Sequence, residues 1–387
     1  MTPTSTLPPG SGLQVVPTLP SRELRAGAAL PFSAYERLAP EELDARIAAA
    51  RADLGKELLL LCHHYQQDDV YRFADLTGDS FRLARLAAER TDVRWIVFCG
   101  VHFMAESADV LTGPEQTVIL PDMAAGCSMA DMADRSSVET AWNELTELGL
   151  ADAVMPVTYM NSAADLKAFC GERGGIVCTS SNADAVLRWS FERKRQVLFF
   201  PDQHLGRNTG RKMGIGLEEM ALWNPAEEYG GNDPQALRSA RLLLWKGHCS
   251  VHQIFQPQHV DYFRAEVPGV RILVHPECRM EVVDKADLVG STEFIIRTVT
   301  EAEPGSRWAI GTEVHLVHRL RDSFPDREVH FLSPTVCMCS TMYRIDPEHL
   351  LWVLENLREG CVVNRIRVPD ETARWARVAL QRMLEVR

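Results

Sequence analysis

Three stretches of this chain each deliver a cysteine just past an apolar run. TVILPD (117–122) leads through MAAG to Cys127, RLLLWKGH (241–248) leads to Cys249, and EVHFLSP (328–334) leads through TV to Cys337 and Cys339. No two of Cys127, Cys249 and Cys339 form a local CxxC pair. Three thiolates that converge without a fourth protein ligand would hold a metal with one open position. For zinc this is a catalytic tetrahedral site. For iron and sulfide it is a [4Fe–4S] cluster with one iron free of protein thiolate, able to take a substrate oxygen as a Lewis acid. Cys337 and Cys339 point the same way in extended chain, so local geometry does not choose between them.

The elements that must bring these cysteines together form a repeating pattern. Short apolar runs, among them ELLLLCHHY (57–65), VRWIVFCGV (93–101), AVMPVTYM (153–160), GIVCTSS (175–181), QVLFFPD (196–202), RILVHPE (271–277) and RWAIGTEV (307–314), alternate with helical stretches. Continuous apolar strands between helices indicate parallel sheets covered on both faces. At several junctions a strand ends in polar residues and a helix begins at once, as in YMNSAADLKAF, TSSNADAVLRW, HPECRMEVVDKA and GSTEFIIRTV. Asn, Ser and Thr there are natural helix N-caps. The expected fold is α/β, with three similar small three-layer αβα domains at 36–128, 129–250 and 251–364. A disordered N-terminal segment, 1–35, precedes them, and a C-terminal helix in 365–387 is expected to pack on the first domain. Ligands of parallel sheets bind beyond the carboxyl ends of the strands, so the chemistry belongs to the residues that close each strand. If the domains pack about a pseudo-threefold axis, the three thiolates meet at its centre.

Composition removes several function classes. The chain has 387 residues and a formal net charge of −12, which excludes a sequence-independent nucleic-acid footprint. It does not exclude small anions, which bind backbone donors at helix N-termini whatever the net charge. No apolar run is long enough to span a bilayer, and MTPTSTLPPGSGLQVVPTLPSREL does not resemble a secretory signal. A cytoplasmic location without membrane attachment is the expectation. No GxGxxG or GxxxxGK[ST] motif follows any strand, so a dinucleotide or P-loop site is not indicated. Disulfides are not expected among ten scattered cysteines without secretory context. Cys62, Cys99, Cys170, Cys178 and Cys361 read as small buried hydrophobes, and Cys278 as a structural or surface thiol.

LCHHYQQDDV, TGDS, GVHFMAES, LPDMAAGCSMAD, YMNSAADLKA, CTSSN, FPDQHLGR, WKGHCSVH, VHPEC, VGSTEF and CMCSTMYRIDPEHL occur in this order. Over roughly residues 40 to 365, this series resembles the quinolinate synthases, iron–sulfur enzymes of de novo NAD biosynthesis. The resemblance implies three α/β domains in pseudo-threefold arrangement around one [4Fe–4S] cluster. It implies condensation of iminosuccinate (iminoaspartate) with dihydroxyacetone phosphate to quinolinate, phosphate and two waters. It also implies transient contact with an aspartate-oxidising enzyme that supplies the imine. The cluster ligands it implies are Cys127 in AAGCSMAD, Cys249 in KGHCSVH and Cys339 in CSTM, which leaves Cys337 as a neighbouring, redox-sensitive thiol. The rival reading is a zinc lyase or hydrolase on the same three cysteines.

By the same resemblance, substrate contacts fall on His63, Ser80, Tyr159, Met160, Asn161, Ser180, His275, Pro276, Glu277 and Thr292. The catalytic set is His63, Tyr65, Tyr159, His252 and Glu277, with Glu277 as base and His63, His252 and Tyr159 as proton donors or orienters. His64 stands where some relatives have tyrosine, so the division of work within HHY stays open, and Ser181 competes with Ser180. The expectation is checked by iron and sulfide analysis of two variants. Cys339→Ala loses the cluster and Cys337→Ala keeps it; the reverse result would exchange the two sulfurs.

Overall fold

The structure, a computed structural model, describes residues 28–336 and 338–386. Cys337 and most of the segment expected to be disordered therefore lie outside the described residues. From Leu30 the chain is anchored: its N–H donates to Asn356 Oδ1 at 2.9 Å and its carbonyl accepts from Trp352 Nε1 at 2.7 Å.

Thirteen strands form three sheets among the described residues. The first comprises β1 (Leu58–His63), β2 (Leu76–Gly78), β3 (Trp95–Cys99) and β4 (Thr117–Ile119), in the order β2-β1-β3-β4. The second comprises β5 (Val154–Tyr159), β6 (Ile176–Cys178), β7 (Gln196–Phe200), β8 (Met220–Trp223) and β9 (Leu242–Trp245), in the order β6-β5-β7-β9-β8. The third comprises β10 (Arg271–Val274), β11 (Leu288–Val289), β12 (Arg307–Gly311) and β13 (Glu328–Phe331), in the order β11-β10-β12-β13. Every strand pairing is parallel. β1 and β5 are buried along their whole length, as continuous apolar strands between two helical layers must be. The three sheets share one topology, and the second adds β8 at its edge. That strand alternates half-buried and buried positions, so it lacks the continuous apolar run that marks the others.

The junction residues behave differently from simple helix caps. Only Ser291 of the expected Asn, Ser and Thr set caps its helix, accepting from Phe294 N–H at 3.3 Å. The helix Ala164–Glu172 has Ala163 at its N-cap, and its Ala164 N–H donates instead to Glu106 Oε2 at 3.0 Å. Asn182 spends its Oδ1 on Thr179 N–H at 2.7 Å. Most side-chain caps are acidic: Asp79, Asp134, Asp202, Asp233, Glu313 and Asp346 each accept from their own first turn. Carboxylates suit that end of a helix because its N–H groups and dipole favour negative charge. Asn161, Ser180 and Thr292 are thereby left free of capping duty.

The first and second units share one continuous hydrophobic core, which also takes in Met342, Ile345 and the helix Pro347–Arg358, whereas the third sheet packs separate clusters on its two faces. The C-terminal helix, Asp370–Glu385, packs chiefly on Ala164–Glu172 of the second unit. Its Arg377 also reaches the Val110 carbonyl of the first, with Nε at 2.8 Å. Close approach to the second unit depends on Gly171, where a Cβ would stand 2.0 Å from the Trp375 carbonyl oxygen. That atom belongs to backbone and cannot swing aside, so Gly171→Ala must separate the helices. The expected cost is about 1–3 kcal/mol, read as a lower midpoint in thermal or denaturant unfolding. An unchanged midpoint would show that the contact carries no strain.

Candidate active site

The carboxyl ends of all three sheets face one cavity. From the first unit it is lined by His63 at the end of β1, Ser80 after β2, and Cys127 after β4. From the second come Tyr159, Met160 and Asn161 at the end of β5, Ser180 after β6 and Cys249 after β9. From the third come His275 and Glu277 after β10, Thr292 after β11 and Cys339 after β13. Tyr65 and His252 complete the set drawn from the sequence. Pro276 does not line the cavity; it is buried and its carbonyl accepts from Asn208 Nδ2 at 2.8 Å. The sequence did not point to Asp79, Val101, Phe103, Met104, Met129, Thr179 or Met342, which also line it. Most of these are apolar wall without a chemical signature of their own, although each sits inside one of the motifs quoted above.

Two ambiguities resolve in space. His63 faces the cavity, whereas His64 turns to Glu293, with its Nε2 2.9 Å from Oε1, and to Tyr71 Oη. Ser180 lines the cavity, whereas Ser181 is exposed and its Oγ lies 2.8 Å from Thr179 Oγ1. The YMN turn rests on a buried support: Lys167 Nζ donates to the Ser162 carbonyl, and Ser162 Oγ donates to the Tyr159 carbonyl at 2.8 Å. The KGHC loop needs glycine at 247, where a Cβ would stand 2.2 Å from the Pro201 carbonyl oxygen.

The polar groups form one connected set. Glu277 Oε2 lies 2.8 Å from His252 Nδ1 and 3.3 Å from His275 Nδ1. The two imidazoles stack at 4.6 Å. His252 Nε2 is 3.4 Å from Thr312 Oγ1, and Tyr65 Oη lies 2.9 Å from the hydroxyls of both Thr312 and Thr292. Thr312, which ties Tyr65 of the first unit to His252, is a further residue that the sequence did not single out.

Burial sets the protonation states. It would raise the Glu277 pKa, but the charge and hydrogen bonds of His275 and His252 outweigh it and hold the carboxyl below its usual range. Burial, with help from His64 and Arg319, lowers His63 to about 3, so this ring is neutral at neutral pH. Burial raises Tyr65 and Tyr159, which keeps both phenols protonated. It also raises the thiols of Cys127, to about 12, and of Cys249 and Cys339. Cys249 and Cys339 lie close enough to Cys127 for their charges to repel. Three thiolates so placed need a cation among them.

The donors present fit a metal group on two counts. Three thiols from three sheets line one cavity, and Glu277 Oε1 is buried without a hydrogen-bond partner among the described residues. In addition, one donor atom each from Cys249, His252 and Glu277 lie within 4.8 Å of one another. Cys62, Cys99, Cys170 and Cys178 are buried away from the cavity, Cys361 is only half-buried, and all nine described cysteines are free. Cys278 is buried with its Sγ 3.5 Å from the Gly311 carbonyl. No helix of the described residues is long and apolar enough to cross a membrane.

The sequence profile of the family described as Quinolinate synthetase A protein matches residues 45–385. A quinolinate synthase of Rhodopirellula baltica is 58% identical over 368 residues, covering 92% of this chain and 94% of that one. One from Nocardioides sp. is 60% identical over 346 residues, 88% of each chain. One from Acidobacterium capsulatum is 60% identical over 356 residues, 91% of this chain and 95% of that one. The chain thus belongs to the quinolinate synthase family, enzymes of NAD biosynthesis.

Proposed function

We propose that this enzyme condenses iminosuccinate with dihydroxyacetone phosphate to quinolinate, phosphate and two waters, with a [4Fe–4S] cluster held by Cys127, Cys249 and Cys339. The observation that carries this reading is the convergence of those three cysteines with the strand-end His, Tyr, Ser, Thr and Glu residues on one cavity. When bound, a cluster with one iron free of protein thiolate supplies a Lewis acid for a substrate oxygen.

The chain's own side chains account for the remaining needs. The two substrates bring two carboxylates and a phosphate. Ser80 and Thr292 are the first residues of the helices Ser80–Glu89 and Thr292–Thr300, where free N–H groups favour anions. Asn161 and Ser180, relieved of capping, add amide and hydroxyl donors. Ring closure requires proton transfers. Glu277, held ionised, takes the proton, and His252 and His275 stand within reach of its Oε2 to orient it or relay that proton. Tyr159 and Tyr65 keep their protons and donate, and neutral His63 accepts from Tyr65 N–H at 3.1 Å, which fixes its ring. The imine comes from an aspartate-oxidising enzyme, by transient contact that limits its hydrolysis.

A single zinc ion is the second reading, favoured by the proximity of the Cys249, His252 and Glu277 donors. Anaerobic purification with iron, sulfide and zinc counts and a quinolinate assay separates the two. About four irons per chain together with activity is the expected result for a [4Fe–4S] enzyme; equal activity in a zinc-only protein would overturn the cluster. For the acid–base assignment, Glu277→Gln is expected to lower turnover by about 10²–10⁴-fold, the usual worth of a positioned general base, with iron content unchanged. Wild-type turnover with an intact cluster would remove Glu277 from that role.

A further inference from the structure

Glu277 leaves β10 in the turn His275–Cys278, and three successive peptide units of that turn are tied down. The Cys278 N–H donates to the His275 carbonyl at 3.0 Å. The carbonyls of Pro276 and Cys278, on either side of Glu277, both accept from one group, the side-chain amide of Asn208, at 2.8 and 2.9 Å. The backbone torsions that aim the Glu277 side chain lie between the first two of these peptide units.

Asn208 does not line the cavity. It is buried on the helix Gln203–Lys212 of the second unit. Its Nδ2 spends both hydrogens on the turn, and its Oδ1 is buried without a partner among the described residues. Turning the amide over would set that oxygen against two carbonyls, so the turn decides its orientation. An unmatched buried acceptor costs stability, and an apolar side chain of similar size would avoid that cost. Filling space does not account for Asn208.

The helix is itself fixed to the loop that delivers Cys249. At its start the Gln203 N–H donates at 3.0 Å to the Gly247 carbonyl, two residues before Cys249. Its first turn lies so close to the sheet that a Cβ on Gly206 would stand 2.5 Å from Leu244 Cδ2, on β9, and 2.8 Å from Phe199 Cδ1, on β7. Asn208 lies about 7.5 Å further along the helix axis than Gln203, at the usual rise per residue. One short rigid element thus spans from the Cys249 loop to the Glu277 turn. The contact that this span governs is the 2.8 Å approach of Glu277 Oε2 to His252 Nδ1, since His252 follows Cys249 on the helix Ser250–Gln253.

We infer that Asn208 is a positioning residue for Glu277: its amide holds the turn of the third unit in register with the Cys249 loop, so that the carboxylate meets His252 and faces the cavity. The inference rests on Glu277 as the base of the proposed reaction. Arg211, on the same helix, also crosses to the third unit and pairs with Asp284 at 2.5 Å. That pair is partly exposed and lies beyond the turn, so it serves as a control for the interface itself.

The test is a double-mutant cycle read as quinolinate formed per cluster-loaded chain, with iron per chain and the unfolding midpoint measured on each variant. Asn208→Ala is expected to lower kcat about 10–100-fold, the scale of a misplaced reacting group, with KM for both substrates within about twofold of wild type. Placed on Glu277→Gln, the same change is expected to cost less than about twofold, because a residue that acts through Glu277 then has no base to position. Arg211→Ala is expected to keep kcat within about twofold of wild type. A purely structural Asn208 lowers the midpoint and costs the same factor in both backgrounds. That result, wild-type kcat from Asn208→Ala, or an equal loss from Arg211→Ala would overturn the inference. If Asn208→Ala does not fold, Asn208→Ser, which keeps a single hydroxyl donor, is read in the same cycle by the same criteria. Wild-type turnover from Glu277→Gln alone would remove the base assignment and the inference with it. Equal factors on an impaired Glu277→Gln would remove the inference alone.

Discussion

Parallel strands have a direction, and in this protein three sets of them run toward the same place. A parallel sheet hands its polar, chemically useful residues to the loops at its carboxyl edge. With three sheets aimed at one cavity, residues from ten strand ends and the segments that follow them compete for a small volume. The cavity wall is correspondingly mixed: thiols, imidazoles, two carboxylates and several hydroxyls stand among Met104, Met129, Met342 and Phe103. No single unit carries a working set. His63 and Cys127 come from the first, Tyr159 and Cys249 from the second, Glu277 and Cys339 from the third, and Thr312 and Tyr65 stitch the first to the third through one hydroxyl contact at 2.9 Å.

Desolvation at that meeting point decides what each group can do. The same burial that keeps the tyrosines and His63 in their uncharged forms would also neutralise a carboxylate standing alone. Glu277 escapes because two imidazoles contact one of its oxygens. Its ionisation is therefore a property of the trio, and removal of either histidine would change the carboxylate as much as the ring that was lost. The thiols present the opposite case. Their protonated state in the absence of a cation and their mutual proximity make metal binding and proton release one event.

Repetition of one α/β unit supplies the frame, and departures from repetition supply the function. The N-cap that follows the third strand of each unit is Val101, Asp202 and Glu313 in turn, and only Val101 lines the cavity. The third sheet and its two clusters stand apart from the shared core, joined to the first unit across hydrogen bonds such as Arg319 Nη1 to the Gln66 carbonyl at 2.8 Å. The C-terminal helix clamps the second unit to the first, through a glycine that lets two backbones touch.

What the sequence determined by itself is the set of strands, their parallel arrangement and the identity of the chemical residues. Continuous apolar runs such as LLLLCH and QVLFF can only be strands buried on both faces, and the ordered motifs name the cysteines, histidines and Glu277. Local chemistry could not decide what depends on direction. Whether His63 or His64 faces inward, and whether Ser180 or Ser181 does, is set by how the chain leaves a strand and what it meets beyond: Glu293 draws His64 outward, and Thr179 holds Ser181. Pro276 lies inside a chemical motif yet packs behind the wall. β8 escaped notice because an edge strand needs only every second residue buried. The junction Asn and Ser residues of YMNS read as caps, but Glu106 of the first unit takes the Ala164 N–H instead. The outcomes at His64, Pro276 and Ala164 turn on partners distant in sequence, Glu293, Asn208 and Glu106, and only the assembled tertiary structure brings such partners within hydrogen-bonding distance.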